Sequence, residues 1–161
     1  MKGKTEFDPG SAEAAKQKAL SLLDRRDYSR AELLGKLAEK GFDEAAAEAA
    51  VERLASLGFV DDARYAPIVV RHYAAKGYGA QRVRGELQRR GIPRELWDAA
   101  MAEMPEQDET LDRLLRARLR GADPGDRAAL KKATDALLRK GYGWDEIHSA
   151  VERYREETEE D

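Results

Sequence analysis

Apolar side chains recur along this chain at intervals of three and four residues, in short runs broken by glycine or by polar pairs. The first run holds Ala15, Ala19, Leu22 and Leu23, a helical stripe that stops near Asp27. Ser29-Arg-Ala-Glu32 then has the spacing of a capping box, opening a second stripe of Leu33, Leu34 and Leu37. Gly41, after a basic last turn, predicts a left-handed C-cap. Asp43 is placed to cap a third stripe of Ala47, Ala50, Val51 and Leu54, which Gly58 ends. No segment sustains the alternation of a strand.

The same plan returns fifty residues later, and again after a hundred. Lys40-Gly41-Phe42 answers Arg90-Gly91-Ile92 and Lys140-Gly141-Tyr142, while Leu37, Leu87 and Leu137 share one register. Ala50, Ala100 and Ala150 align, as do Ala15, Tyr65 and Leu115. In the second repeat Asp61 or Asp62 caps a helix through Tyr65, Val69 and Tyr73 that Gly77 ends. A middle helix follows with Val83 and Leu87 inward, and Pro93 suits the first turn of the next. The third repeat starts near Asp108, turns at "GADPGD" (Gly121 to Asp126), and begins its last helix near Asp145. Phe59, Tyr65, Tyr73 and Trp97 read as core.

The expected architecture is all-α: three tandem three-helix repeats of about 50 residues each, forming an elongated, curved molecule. Residues 11–58, 59–105 and 106–157 are the expected repeats. Residues 1–10 read as a flexible arm and residues 158–161 as an acidic, fraying tail. Hydrophobic residues at 42% and charged residues at 38% suit such a thin core. The chain has no cysteine, which excludes disulfides, thiolate metal sites and cysteine nucleophiles. Its longest apolar run is short, as in Ala66 to Val70, so no membrane span or signal peptide is expected; the reading is a cytoplasmic monomer.

Charge is unevenly placed. The total is −3, yet from Arg64 to Arg94 eight basic residues face one acid, Glu86. From Arg113 to Lys140 nine basic residues face three acids. Arg82 and Arg89 lie seven apart on one outer face with Arg90 beside them, and Arg64 and Arg71 repeat that spacing on the preceding helix. Charge on a short helix is ordinarily a solvated face. A one-signed block is different, because like charges repel unless something acidic meets them. Arginine's planar fork suits carboxylate or phosphate. The candidate contacts are Arg64, Arg71, Lys76, Arg82, Arg84, Arg89, Arg90 and Arg94, then Arg116, Arg120 and Lys131.

Candidate chemistry is sparse. His72 and His148 have no neighbouring ligand set, the acids are scattered, and neither "GYGAQRVRG" nor "GADPG" is a phosphate-cradling loop. A binding protein is expected, with no metal, no cofactor and no catalytic residue.

"GFVDDARYAPIVVRHYAAKGYGAQRVRGELQRRGI", Gly58 to Ile92, resembles the signature region of the RecX family, bacterial regulators of RecA recombinase. Gly58, Phe59, Val60, Asp61, Asp62, Arg64, Tyr65, Gly77, Tyr78, Gly79, Arg82, Leu87, Gly91 and Ile92 carry that pattern in order. Tyr28, Ser29, Glu32, Leu33 and Leu37 resemble the family's first repeat. The resemblance implies three helical repeats that bind the groove of the RecA filament on single-stranded DNA, suppress its ATPase and strand exchange, and limit filament growth. The basic block would face acidic RecA surfaces and DNA phosphates, single- or double-stranded. Within the pattern, Asp61 and Asp62 are expected as a cap, Gly91 as a C-cap, and Phe59 and Tyr65 as core. The alternative is a helix-turn-helix-like protein that binds DNA without RecA. The acidic net charge, and the lack of Asn on the arginine helix, weigh against it.

Overall fold

The computed structural model describes residues 7–161, and these are helices and turns without a strand. The first repeat is α1 (Ala12–Leu23), α2 (Arg30–Glu39) and α3 (Glu44–Ser56). The second is α4 (Asp62–Ala75), α5 (Ala80–Arg89) and α6 (Trp97–Met101), the last preceded by a 3₁₀ turn at Arg94–Leu96. The third is α7 (Asp108–Leu119), α8 (Arg127–Arg139) and α9 (Trp144–Glu160). The expected all-α chain of three-helix repeats is what the structure contains.

The chain forms two compact units that do not follow the repeat boundaries. One comprises the residues up to Pro67 together with Leu87–Trp97; the other is Ile68–Glu86 with Asp98–Asp161. Each has its own apolar centre. In the first, Ala15, Ala19, Leu33, Leu37, Ala47, Ala50, Val51 and Leu54 are buried together, the stripes read from their spacing. The second gathers Leu111, Leu115, Leu119, Leu137, Tyr142, Ile147 and Val151. A fully buried leucine contributes about 1.5–3 kcal/mol. Alanine contributes less but lets α1 approach α3 closely.

Local signals explain most of the helix ends. The Ser29 hydroxyl accepts the Glu32 N–H at 3.0 Å while the Glu32 carboxylate accepts the Ser29 N–H at 3.1 Å, completing the capping box. At Gly91 the backbone has φ +70°; its N–H donates to Gln88 O, and the Ile92 N–H reaches back to Leu87 O, both at 3.0 Å. These paired bonds occupy carbonyls that the helix end would leave open.

Several expectations need correction. Phe59 is 51% exposed rather than core: the turn at Gly58 points it outward and gives the buried place to Val60. Asp43 makes no side-chain cap bond; its N–H donates instead to Pro9 O at 2.8 Å. Of the two acids at the start of α4, Asp61 caps it, accepting the Arg64 N–H at 3.2 Å. Asp62 is buried and accepts the Arg30 N–H at 3.0 Å, and burial pushes its carboxyl above the usual range. The last helix starts at Trp144 and continues to Glu160, through the segment expected to fray. Residues 1–6 of the expected arm lie outside the described residues. Beyond them, Phe7 stacks on Phe42 with ring centroids 3.9 Å apart.

Candidate interaction surface

The first unit separates its candidate arginines into outward and inward ones. Arg64, Arg89 and Arg94 are exposed. The Arg94 guanidinium lies 5.0 Å from the Trp97 ring centroid, a cation–π contact that fixes its direction. Arg90 turns inward. It donates to the Tyr65 hydroxyl at 2.9 Å and lies 3.7 Å from the Glu32 carboxylate, which also pairs with Arg26 at 3.1 Å. Burial raises the Tyr65 phenol above its ordinary pKa, and the negative charge of Glu32 adds to that. Arg90 therefore ties α5 to the capping box of α2, with about a quarter of its side chain left in solvent (24%).

In the second unit the cations gather around two tyrosines. The rings of Tyr73 and Tyr78 are 5.8 Å apart. Arg82 and Lys140 stand 5.1 and 5.2 Å from the Tyr78 centroid, and Lys76 stands 5.6 Å from that of Tyr73. Lys140 was missed as a candidate, although the fifty-residue register places it beside Lys40 and Arg90. Arg84 is exposed on α5, whereas Glu86 is buried and lies 3.5 Å from the Arg82 guanidinium. The one acid of the basic block thus faces inward and leaves the outer face positive.

The remaining candidates sit in exposed pairs. Arg71 lies 3.5 Å from Glu103, Arg116 3.3 Å from Glu157, and Lys131 2.9 Å from Asp135. Such pairs are worth about 0–1 kcal/mol, so an incoming acid displaces them at little cost. Arg71 also borders a cleft of about 390 Å³ with Glu103, Thr110 and Arg113, and Arg113 is a second cation that the spacing did not single out. Arg120 ends α7 in the left-handed conformation at φ 51° and is exposed.

Among the described residues no group of three or more His, Asp or Glu side chains could hold a metal ion, and no helix is long and apolar enough to cross a membrane. His72 is exposed and meets Tyr73 edge-on at 5.1 Å. What the geometry can do is present guanidinium and ammonium groups, braced by aromatic rings, to carboxylates or phosphates.

Tandem three-helix repeats define the class: an all-α helical-repeat protein. Family models for the first, second and third three-helix domains of RecX match residues 15–54, 61–101 and 106–151. The chain is 43% identical over 137 residues to the regulatory protein RecX of Xanthomonas campestris pv. campestris (strain B100), covering 84% of each sequence. It is 42% identical over 136 residues to that of Stenotrophomonas maltophilia (strain R551-3), covering 84% of this chain and 83% of the other. The crystal structure of RecX from Lactobacillus salivarius superposes with a TM-score of 0.79 at 22% identity, over 88% of this chain and 95% of that one. The chain belongs to the RecX family of regulatory proteins.

Proposed function

We propose that the protein is a negative regulator of RecA recombinase that binds the RecA filament on single-stranded DNA and suppresses its ATPase and strand exchange. The observation that carries this reading is the set of exposed cations on α4, α5 and α7. Arg71, Arg84 and Arg116 are exposed and the half-buried Arg82 stands beside Tyr78, so these helices offer positive charge to an acidic protein surface, part of it held in place by the rings of Tyr73 and Tyr78. Arg64, Lys76, Arg89, Arg94, Arg120 and Lys131 are further contacts in the same reading. Family membership supports RecA as the partner. Such a face raises the rate of encounter with an acidic partner and makes binding sensitive to salt.

The test is RecA's ATPase on single-stranded DNA, titrated with the native chain and with a variant carrying Arg82, Arg84 and Arg89 changed to Ala. Arg90 stays in place because its loss would disturb the fold. The expected result is suppression by the native chain and a half-inhibitory concentration raised about tenfold or more in the variant. No suppression by the native chain at any ratio sinks the proposal, and direct DNA binding with a steep salt dependence then becomes the better reading.

A further inference from the structure

α7 carries a guanidinium that the chain itself leaves open. Arg113 is exposed and makes no hydrogen bond or ion pair among the described residues. Its neighbouring cations are held. Arg71, from α4, lies 3.5 Å from Glu103, and Arg116, one turn further along α7, lies 3.3 Å from Glu157. Exposure alone assigns an arginine nothing, because its charge is at ease in water. Position is what distinguishes Arg113. It lines the cleft of about 390 Å³ between the end of α4 and the start of α7, together with Arg71, Glu103 and Thr110. Ala74, Ala75 and Gly77 line the α4 side, and residues this small leave room that longer side chains would fill. The Lys140 ammonium adds positive charge beside Gly77, where a Cβ would lie 3.8 Å from it.

The acids near the cleft do not cancel these cations. Asp112 lies 2.7 Å from Arg153 of α9, and the charge of Asp108 also acts on Arg153, so both face away from the cleft. Glu106 and Glu109 are exposed and outside its lining. The lining therefore sets two guanidiniums against one carboxylate, Glu103. That carboxylate is itself placed as a ligand would be. Glu103 and Arg71 each keep about half of the side chain in solvent, the kind of pair that an incoming acid opens at little cost.

A single carboxylate suits this cleft better than a nucleic-acid strand. Arginine's fork takes either a carboxylate or a phosphate. A strand, however, brings a negative charge with every nucleotide past Glu103, Glu106 and Glu109, whereas a side chain brings one charge to two guanidiniums. We propose that the cleft seats an aspartate or glutamate side chain of the partner protein between Arg71 and Arg113. Glu103 is then a built-in competitor that the incoming carboxylate displaces from Arg71. The inference rests on the reading of RecA as partner, and it names the chemical group that α4 and α7 recognise.

The test is the half-inhibitory concentration for RecA ATPase on single-stranded DNA, with each variant first checked for native circular dichroism. Arg113→Ala is expected to raise it about fivefold or more. Glu103→Gln removes the competitor and is expected to lower it about threefold. Glu106→Gln makes the same change of net charge outside the cleft and is expected to leave it unchanged. The gain from Glu103→Gln should vanish in an Arg71→Ala background, where no guanidinium remains for Glu103 to occupy. Binding of a poly-dT oligonucleotide, followed by fluorescence anisotropy, should be alike for the native, Arg113→Ala and Glu103→Gln chains. Native-like inhibition by both Arg113→Ala and Glu103→Gln overturns the cleft and leaves the RecA reading standing. A gain that Glu106→Gln matches, or that survives Arg71→Ala, overturns Glu103 as the competitor. Loss of poly-dT binding in Arg113→Ala, in step with the loss of inhibition, overturns the carboxylate in favour of phosphate. If the native chain suppresses no ATPase at any ratio, the RecA reading falls and this proposal falls with it.

Discussion

Each unit contains one join between consecutive repeats, and the two joins use different chemistry at equivalent positions. In the first unit the start of α2 meets the turn after α5 through side chains. The buried Ser29 hydroxyl donates to Arg90 O, Arg90 reaches Tyr65, and Asp62 accepts the Arg30 N–H. In the second unit the start of α5 meets the turn after α8 mainly through backbone. The Gly79 N–H donates to Lys140 O at 2.9 Å and the Gln81 N–H to Gly141 O at 3.1 Å, while the Tyr142 hydroxyl donates to Gly77 O at 2.8 Å. A shift of fifty residues turns Ser29 into Gly79 and the side-chain join into a main-chain one. Two chains of contact can therefore hold the same repeat geometry. The first leans on the side chains of Ser29 and Arg90, the second on the bare backbone at Gly79.

The sharpest way to break this contrast is to add one methyl to each join. A Cβ on Gly79 would lie 2.5 Å from the Gly141 carbonyl group, where only backbone could yield. Gly79→Ala is expected to cost about 3 kcal/mol or more in urea denaturation. A Cβ on Gly91 would instead meet the Cβ of Ala31, at φ +70°. Gly91→Ala is expected to cost about 2 kcal/mol, and Ala31→Gly in the same chain should return the part due to the clash and not the part due to φ. No second substitution of that kind should rescue Gly79→Ala.

A smaller loss is expected from Ser29→Ala. It removes a helix cap and the bond to Arg90 O together, about 1.5 kcal/mol by thermal or urea denaturation. An unchanged midpoint would show that the first join does not depend on its hydroxyl.

The smallest effect is a pH dependence at Asp62. Its raised folded pKa means that the folded chain holds this proton more tightly than the unfolded one. The stabilisation it gives is complete below the ordinary value of 3.8 and is lost as pH rises through the raised value. Asp62→Asn keeps an acceptor for the Arg30 N–H and removes the titration. The stability of native minus variant should fall from acid towards neutral pH. A difference that stays flat across that range would contradict the assignment.

Much of this was legible in the chain itself, because the relevant signals are local. The capping box at Ser29, the glycine C-caps, the apolar stripes and the fifty-residue register follow from spacing and backbone freedom alone. What stayed hidden depends on partners distant in sequence. Arg90 has the same chemistry as Arg89, and only the Glu32 carboxylate and Tyr65 hydroxyl, held by another helix, turn it inward. Asp62 reads as a spare cap until α2 is seen to present an open N–H to it. Phe59 reads as core because its residue type is apolar, yet the glycine before it sets its direction. The candidate surface was legible as a charge bias, while its ring-braced part around Tyr78 needed Lys140 from another repeat.

The start of α8 has a consequence for how far this pattern can be extended. α2 and α5 begin at corresponding positions, Arg30 and Ala80, and each leaves its capping residue to receive a neighbouring turn. α8 begins at Arg127, three residues ahead of the corresponding place, with Asp126 as its cap, so helix occupies the position of that receiving residue. The second repeat alone carries both halves of the joint, a socket at Tyr78-Gly79 and a plug at Arg90-Gly91. A longer array would therefore be built by duplicating the second repeat in place, whereas a module appended after α9 would find no socket on α8 unless Asp126 to Ala129 were recast as loop.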